Sequence, residues 1–171
     1  PVGKAKGMAI HESQSLFMEM QVGRSREFIE YLAKILKEDF GLNTHEYSGE
    51  NLYKLITLVR PGSIRVDADE VTYLMHSILR FEIEEALIND AISLEELPYV
   101  WNNKMQTYLN ITPKSDRDGC LQDIQWMMGQ FGYFPAYANG VIISSMLMKK
   151  AKIIYPNTNQ EILAGDFNNL N

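Results

Sequence analysis

Along most of the chain, apolar residues recur at intervals of three and four, the spacing that places them on one side of an α-helix. Between His11 and Lys37 there is no Pro and one Gly, and Phe28, Ile29, Tyr31, Leu32, Ile35 and Leu36 form a continuous stripe. This predicts helix across the span, ending at Gly41, with Lys37 near the last free carbonyls. Leu52, Leu55, Ile56 and Val59 form a second stripe and predict a short helix.

Pro61-Gly62 breaks the rhythm, and Ser63 to Val66 alternates with period two, which predicts one short strand near residues 63–66. Asp67 or Asp69 then caps a long helix, Asp67 and Glu70 having capping-box spacing. Its expected buried face is Val71, Leu74, Met75, Ile78, Leu79, Ile83, Ala86 and Leu87. His76, Arg80 and Glu84 fall on the other face at intervals suited to charge pairing along a helix. Ser93 caps a helix running to about Leu109, and the polar run after Thr112-Pro113 is a loop. Gly119–Gln130 and Ala136–Ile154 read as two more helices around Gly132-Tyr133-Phe134-Pro135, and a short helix from Gln160 ends at Gly165. The fold class is mainly α, with residues 1–171 as one helical segment.

Composition narrows the function classes. A chain of 171 residues with 46% hydrophobic content has the make-up of a folded domain, not a disordered one. Sixteen basic against 22 acidic residues leave a net charge of −6 with no Lys/Arg cluster, so no nucleic-acid partner is expected. The longest apolar run, Val141 to Met148, contains Ser144 and Ser145 and falls short of the roughly 18 residues of a membrane span. Cys120 stands alone, which rules out an internal disulfide or a Cys-rich zinc site and fits the reducing cytoplasm. Of the three histidines, His45-Glu46 and His11-Glu12 each begin an HExxH turn, but Gly49 and Ser15 occupy the second His position. Residue counts alone provide no complete metal-binding turn.

Four short strings, in order, point further. They are His11-Glu12-Ser13-Gln14-Ser15, then Val22-Gly23-Arg24-Ser25-Arg26, then Ile64-Arg65-Val66-Asp67-Ala68-Asp69-Glu70-Val71-Thr72-Tyr73, and last Gly119-Cys120-Leu121-Gln122-Asp123-Ile124-Gln125-Trp126 leading into Phe131-Gly132-Tyr133-Phe134-Pro135-Ala136-Tyr137. Together they resemble the HES(Q), (I/V)RxxAD and GxxQDxHW signatures of the carboxypeptidase Taq family of metallocarboxypeptidases. The resemblance implies the C-terminal part of a helical zincin-like (neurolysin-like) scaffold. It also implies a chain that begins downstream of the HExxH helix, so that it holds part of a catalytic domain and is inactive alone.

The roles carried by that resemblance fall on individual residues. Glu12 matches the family's third metal ligand; the metal is one divalent ion, zinc or alternatively cobalt, expected in the full-length enzyme and not in this piece. Without the motif, Glu12 reads as an ordinary surface-helix carboxylate. His11 is expected beside the metal site and not as a ligand. Arg65 matches the Arg that grips the substrate's terminal carboxylate through parallel hydrogen bonds; the alternative is a structural ion pair with Asp67, Asp69 or another carboxylate. Gln122 and Asp123 match the motif's Gln-Asp, and such an Asp can orient a ligand His. Gln125 stands where the motif has His; an amide can donate to a developing oxyanion but cannot carry a proton away. Tyr137, then Tyr133, is the candidate phenol for the scissile carbonyl or terminal carboxylate, with aromatic packing as the alternative.

The resemblance therefore implies a metallocarboxypeptidase that releases single residues from peptides with a free C-terminal carboxylate, and a homodimer. The competing expectation is a non-catalytic helical binding module, a pseudo-enzyme, and Gln125 favours it.

Overall fold

The computed structural model describes residues 3–170, among which there are helices and turns and no strand. The helices are α1 (Met8–Leu16), α2 (Arg26–Phe40), α3 (Gly49–Ile56), α4 (Thr72–Ile88), α5 (Leu97–Leu109), α6 (Phe134–Ile154) and α7 (Thr158–Ala164). None of them is long and apolar enough to cross a membrane. They distribute over two compact units, one of Pro1–Leu58 with Gly140–Asn171, the other of Val59–Asn139.

In the first unit, the long helical stretch expected from His11 is interrupted. After α1 the chain widens into a π-helical segment, Phe17–Gly23, and Ser25 then starts α2 afresh. The Ser25 backbone is extended and its hydroxyl accepts from the Phe28 N–H at 3.2 Å, satisfying one free donor of the first turn. Gly41 closes α2 with φ 69°, as its position predicts. Ser48 caps α3, which ends at Ile56 and leaves Val59 outside it. Gly165, φ 76°, ends α7. Phe17, Val22 and Met148 are buried together, with Phe28, Phe167 and Leu170 packed against them. Gly140 lets α6 approach α1 closely: a methyl there would lie 3.0 Å from the Glu12 Cβ and 3.2 Å from the Glu12 carbonyl carbon. The backbone that carries Glu12 is thus set by the absence of a side chain on α6.

In the second unit, α4 packs on α5 around Leu79, Ile83, Trp101, Met105 and Leu109, with Leu97 and Cys120. Asp69 performs the capping for α4. Its Oδ1 accepts from the Val71 and Thr72 N–H groups, and its Oδ2 accepts from the Thr72 hydroxyl. Those bonds hold its pKa below the ordinary carboxylate value against the opposing effect of burial. Ser93 and Glu96 form a reciprocal capping box ahead of α5.

Three expectations change here. The strand near 63–66 is absent: Arg65–Asp67 is a 3₁₀ turn. The side chain of Gln122 does the work of a neighbouring strand, its Oε1 accepting from the Arg65 N–H at 2.8 Å while its Nε2 donates to the Ser63 carbonyl at 3.0 Å. Gly119–Gln130 is a succession of turns and not a helix. The same Gln122 amide also binds the Asp118 and Gly119 carbonyls, and Gly129 takes φ 69°, so local bonds compete with helical ones. Finally, the polar stripe of α4 points inward. His76 and Arg80 are 0% exposed and Glu84 5%, whereas Val71 and Ile78, placed on the expected buried face, are 57% and 40% exposed.

Candidate functional site

The buried polar stripe of α4 organises the second unit's chemistry. Burying charge is costly unless the charges are paired and hydrogen-bonded, so a buried ionic cluster inside a small core marks a site. Asp123 is its hub. Its Oδ1 accepts from the Arg65 Nε at 2.9 Å and its Oδ2 from the Arg80 Nε at 2.5 Å. One arginine thus binds each of its oxygens, so within this unit Asp123 orients Arg65 and Arg80. Arg80 also donates through Nη1 to the His76 carbonyl at 2.9 Å and to the His76 Nδ1 at 3.2 Å. Its guanidinium carbon lies 4.6 Å from the Trp101 ring centroid, a cation–π contact beneath the site.

These bonds assign the His76 tautomer. An arginine can only donate, so Nδ1 accepts and the ring proton sits on Nε2, which donates to the Gly62 carbonyl at 3.1 Å. Burial, then the Arg80 charge, push the His76 pKa from 6.5 down to about 4. Burial pushes Arg80 down to about 10 against the pull of Asp123. For Arg65 burial acts in the same direction, but Asp123 prevails and the net shift is upward. Both arginines therefore stay charged at neutral pH while His76 is neutral.

A pH dependence follows from His76. Because its pKa is lower in the folded state than in the unfolded one, the unfolded chain binds the extra proton between pH 6.5 and about 4. Stability present at neutral pH is thus lost as the pH falls through that window, by about 3 kcal/mol at the lower end. Urea midpoints measured from pH 7 to 4 should fall accordingly, and the His76→Gln variant should flatten this part of the curve. An unchanged slope in that variant would assign the acid sensitivity to other groups.

Arg65, 7% exposed, has its guanidinium carbon 4.7 Å from the Tyr137 ring centroid. Asp123 occupies only its Nε, so the outer Nη edge is not taken by that carboxylate. Tyr137 Oη accepts from the Gln125 Nε2 at 3.0 Å, which leaves the phenolic proton for another acceptor, and the buried Gln125 Oε1 has no partner among the described residues. Tyr133 stacks edge-on to Tyr137 with centroids 5.2 Å apart. Glu84 positions this turn: it accepts from the Trp126 Nε1 at 2.7 Å and from the Gly132 N–H.

Of the residues expected at a site, Arg65, Gln122, Asp123, Gln125, Tyr133 and Tyr137 are brought together in the second unit. His11 and Glu12 belong to the first, where Glu12 Oε1 lies 3.6 Å from the His11 Nδ1. Among the described residues no group of three His, Cys, Asp or Glu could hold a metal ion. Glu12 is one carboxylate and does not make a metal site with the residues present. Sequence reasoning missed His76, Arg80 and Glu84. The available signal was their setting, one polar row hemmed by apolar residues on both sides of α4.

The family model "Carboxypeptidase Taq (M32) metallopeptidase" matches residues 1–171. Carboxypeptidase 1 of Bacillus subtilis is 41% identical over 160 residues, covering 94% of this chain and 32% of that protein. Thermostable carboxypeptidase 1 of Pyrococcus furiosus is 38% identical over 167 residues, covering 98% and 33%. Among solved structures, Trypanosoma cruzi metallocarboxypeptidase 1 superposes with a TM-score of 0.90 at 42% identity, covering 97% of this chain and 35% of that one. The M32 carboxypeptidase from Deinococcus radiodurans gives 0.91 at 32% identity, covering 99% and 34%. The chain spans about a third of the length of the relatives it matches. With Arg65, Gln122, Asp123, Gln125 and Tyr137 of the later strings brought together in one unit and the family model matched from end to end, the chain belongs to the carboxypeptidase Taq (M32) metallopeptidase family.

Proposed function

We propose that this chain is the carboxylate-recognising part of a metal-dependent carboxypeptidase that releases single residues from peptide C-termini. The observation that carries the reading is Arg65: buried, charged, held through Nε by Asp123, and with its Nη edge left over. A planar guanidinium anchored on one side can bind a carboxylate through two parallel N–H···O bonds, which restricts cleavage to free chain ends. Tyr137, whose hydroxyl oxygen already accepts from Gln125, donates its proton to the scissile carbonyl or the terminal carboxylate. Glu12 would contribute one oxygen to a divalent metal, zinc or cobalt, which no group of three His, Cys, Asp or Glu among the described residues could hold. The chain by itself is accordingly inactive.

The test uses the full-length polypeptide on a blocked dipeptide and on its C-terminal amide, with and without chelator. Release of the terminal residue from the free acid alone, abolished by chelator and restored by zinc or cobalt, supports the reading. Equal cleavage of acid and amide removes the role of Arg65. No turnover under any condition favours a binding module, for which Gln125, an amide that cannot shuttle a proton, is the specific observation.

A further inference from the structure

Arg65 does not have its ion-pairing carboxylate to itself. Arg65 and Arg80 share Asp123, one on each oxygen, and His76 is neutral. Glu84, the next carboxylate along α4, is turned to Trp126 and Gly132 and makes no ion pair with either arginine. Arg80 is 0% exposed, so no substrate reaches it, and its Nη2 lacks a hydrogen-bond partner among the described residues. A buried, incompletely satisfied guanidinium is costly, and a well-packed apolar residue would fill the same volume at lower cost. Its placement has a functional consequence. If Arg65 alone faced Asp123, the two would form a closed, neutral pair with little attraction for a second anion. With Arg80 drawing on the other oxygen, the carboxylate is shared and neutralises Arg65 less completely.

We propose that Arg80 is a positioning and specificity-determining residue of this site, which by sharing Asp123 leaves Arg65 less completely neutralised and so selects an anionic chain end over a neutral one. The proposal rests on the reading of Arg65 as the carboxylate anchor. In the low-dielectric interior the charge left on Arg65 acts strongly on a carboxylate placed there and weakly on an amide of the same shape.

The experiment compares the full-length enzyme with its Arg80→Met, Arg80→Lys and Arg65→Ala variants. It measures kcat and KM on a blocked dipeptide, and dissociation constants for N-acetylphenylalanine and its amide. Expected for Arg80→Met are increases of about tenfold or more in KM and in the carboxylate dissociation constant, with kcat within about threefold and amide binding unchanged. Arg80→Lys, which restores the charge, should recover most of the loss. Should Arg80→Met not fold, Arg80→Gln keeps a donor for Asp123 and tests the same loss of charge. A folded, neutral variant that discriminates acid from amide as well as the wild type overturns the proposal while Arg65→Ala still weakens carboxylate binding. If Arg65→Ala also binds the acid normally, the anchor reading fails and the proposal falls with it.

Discussion

Replacing Asp123 with Ala is expected to destabilise the protein by about 3–5 kcal/mol, the usual cost of removing one partner from a buried ion pair. The side chain is 10% exposed and faces two guanidinium groups, of which that of Arg80 is wholly buried. Deleting it leaves two like charges in a low-dielectric space, with Arg65 Nε and Arg80 Nε both deprived of an acceptor. Arg80 cannot escape by rotating to solvent, because Trp101 packs on one side and His76 binds it on the other. The melting temperature should fall by about 10 °C for a protein of this size. Asp123→Asn retains the shape and one acceptor and should lose less. A loss under about 1 kcal/mol for Asp123→Ala would mean that the arginines find other partners and that Asp123 is not the hub of the cluster.

The second large effect is on substrate recognition. Arg65→Ala in the full-length protein should lower kcat/KM on substrates with a free terminal carboxylate by about 10²–10³-fold, mostly through KM. That magnitude follows from two charge-assisted hydrogen bonds at about 1.5–3 kcal/mol each, discounted for water replacing the side chain. Arg65→Lys should recover only part, since an ammonium cannot satisfy Asp123 and grip a carboxylate with parallel bonds at once. Steady-state kinetics on the acid and amide of one dipeptide separate this from a structural role. A purely structural Arg65, tied only to Asp123, would lower activity on both alike.

How far the site was legible depends on the kind of residue. Glycines and caps were readable because their physics is local: Gly41 and Gly165 adopt the left-handed conformation their positions predicted, and Asp69 and the Ser93–Glu96 box bind donors within three residues. Arg65, Gln122, Asp123, Gln125 and Tyr137 were legible as candidates because they stand in short motif strings. Their partners were not. Asp123 lies 43 residues from Arg80 and 58 from Arg65, separations at which no periodicity carries information. Gly119–Gln130 failed as a helix for a related reason. The side chains of Gln122 and Asp123 are held by hydrogen bonds to residues 43 to 58 positions away, which no local pattern announces.

By itself the sequence determined the mainly α class, most of the helix ends, the lack of an HExxH turn and the family resemblance. All of these rest on spacing, counts or contacts within a few residues. Tertiary structure alone decided which way α4 faces. Helical periodicity sorts residues by average hydropathy, and on that measure His76, Arg80 and Glu84 belong in water. They are inside because Asp123, Gly62, Trp126 and Gly132 supply the partners that make burial tolerable. Only the folded chain brings those partners within hydrogen-bonding distance.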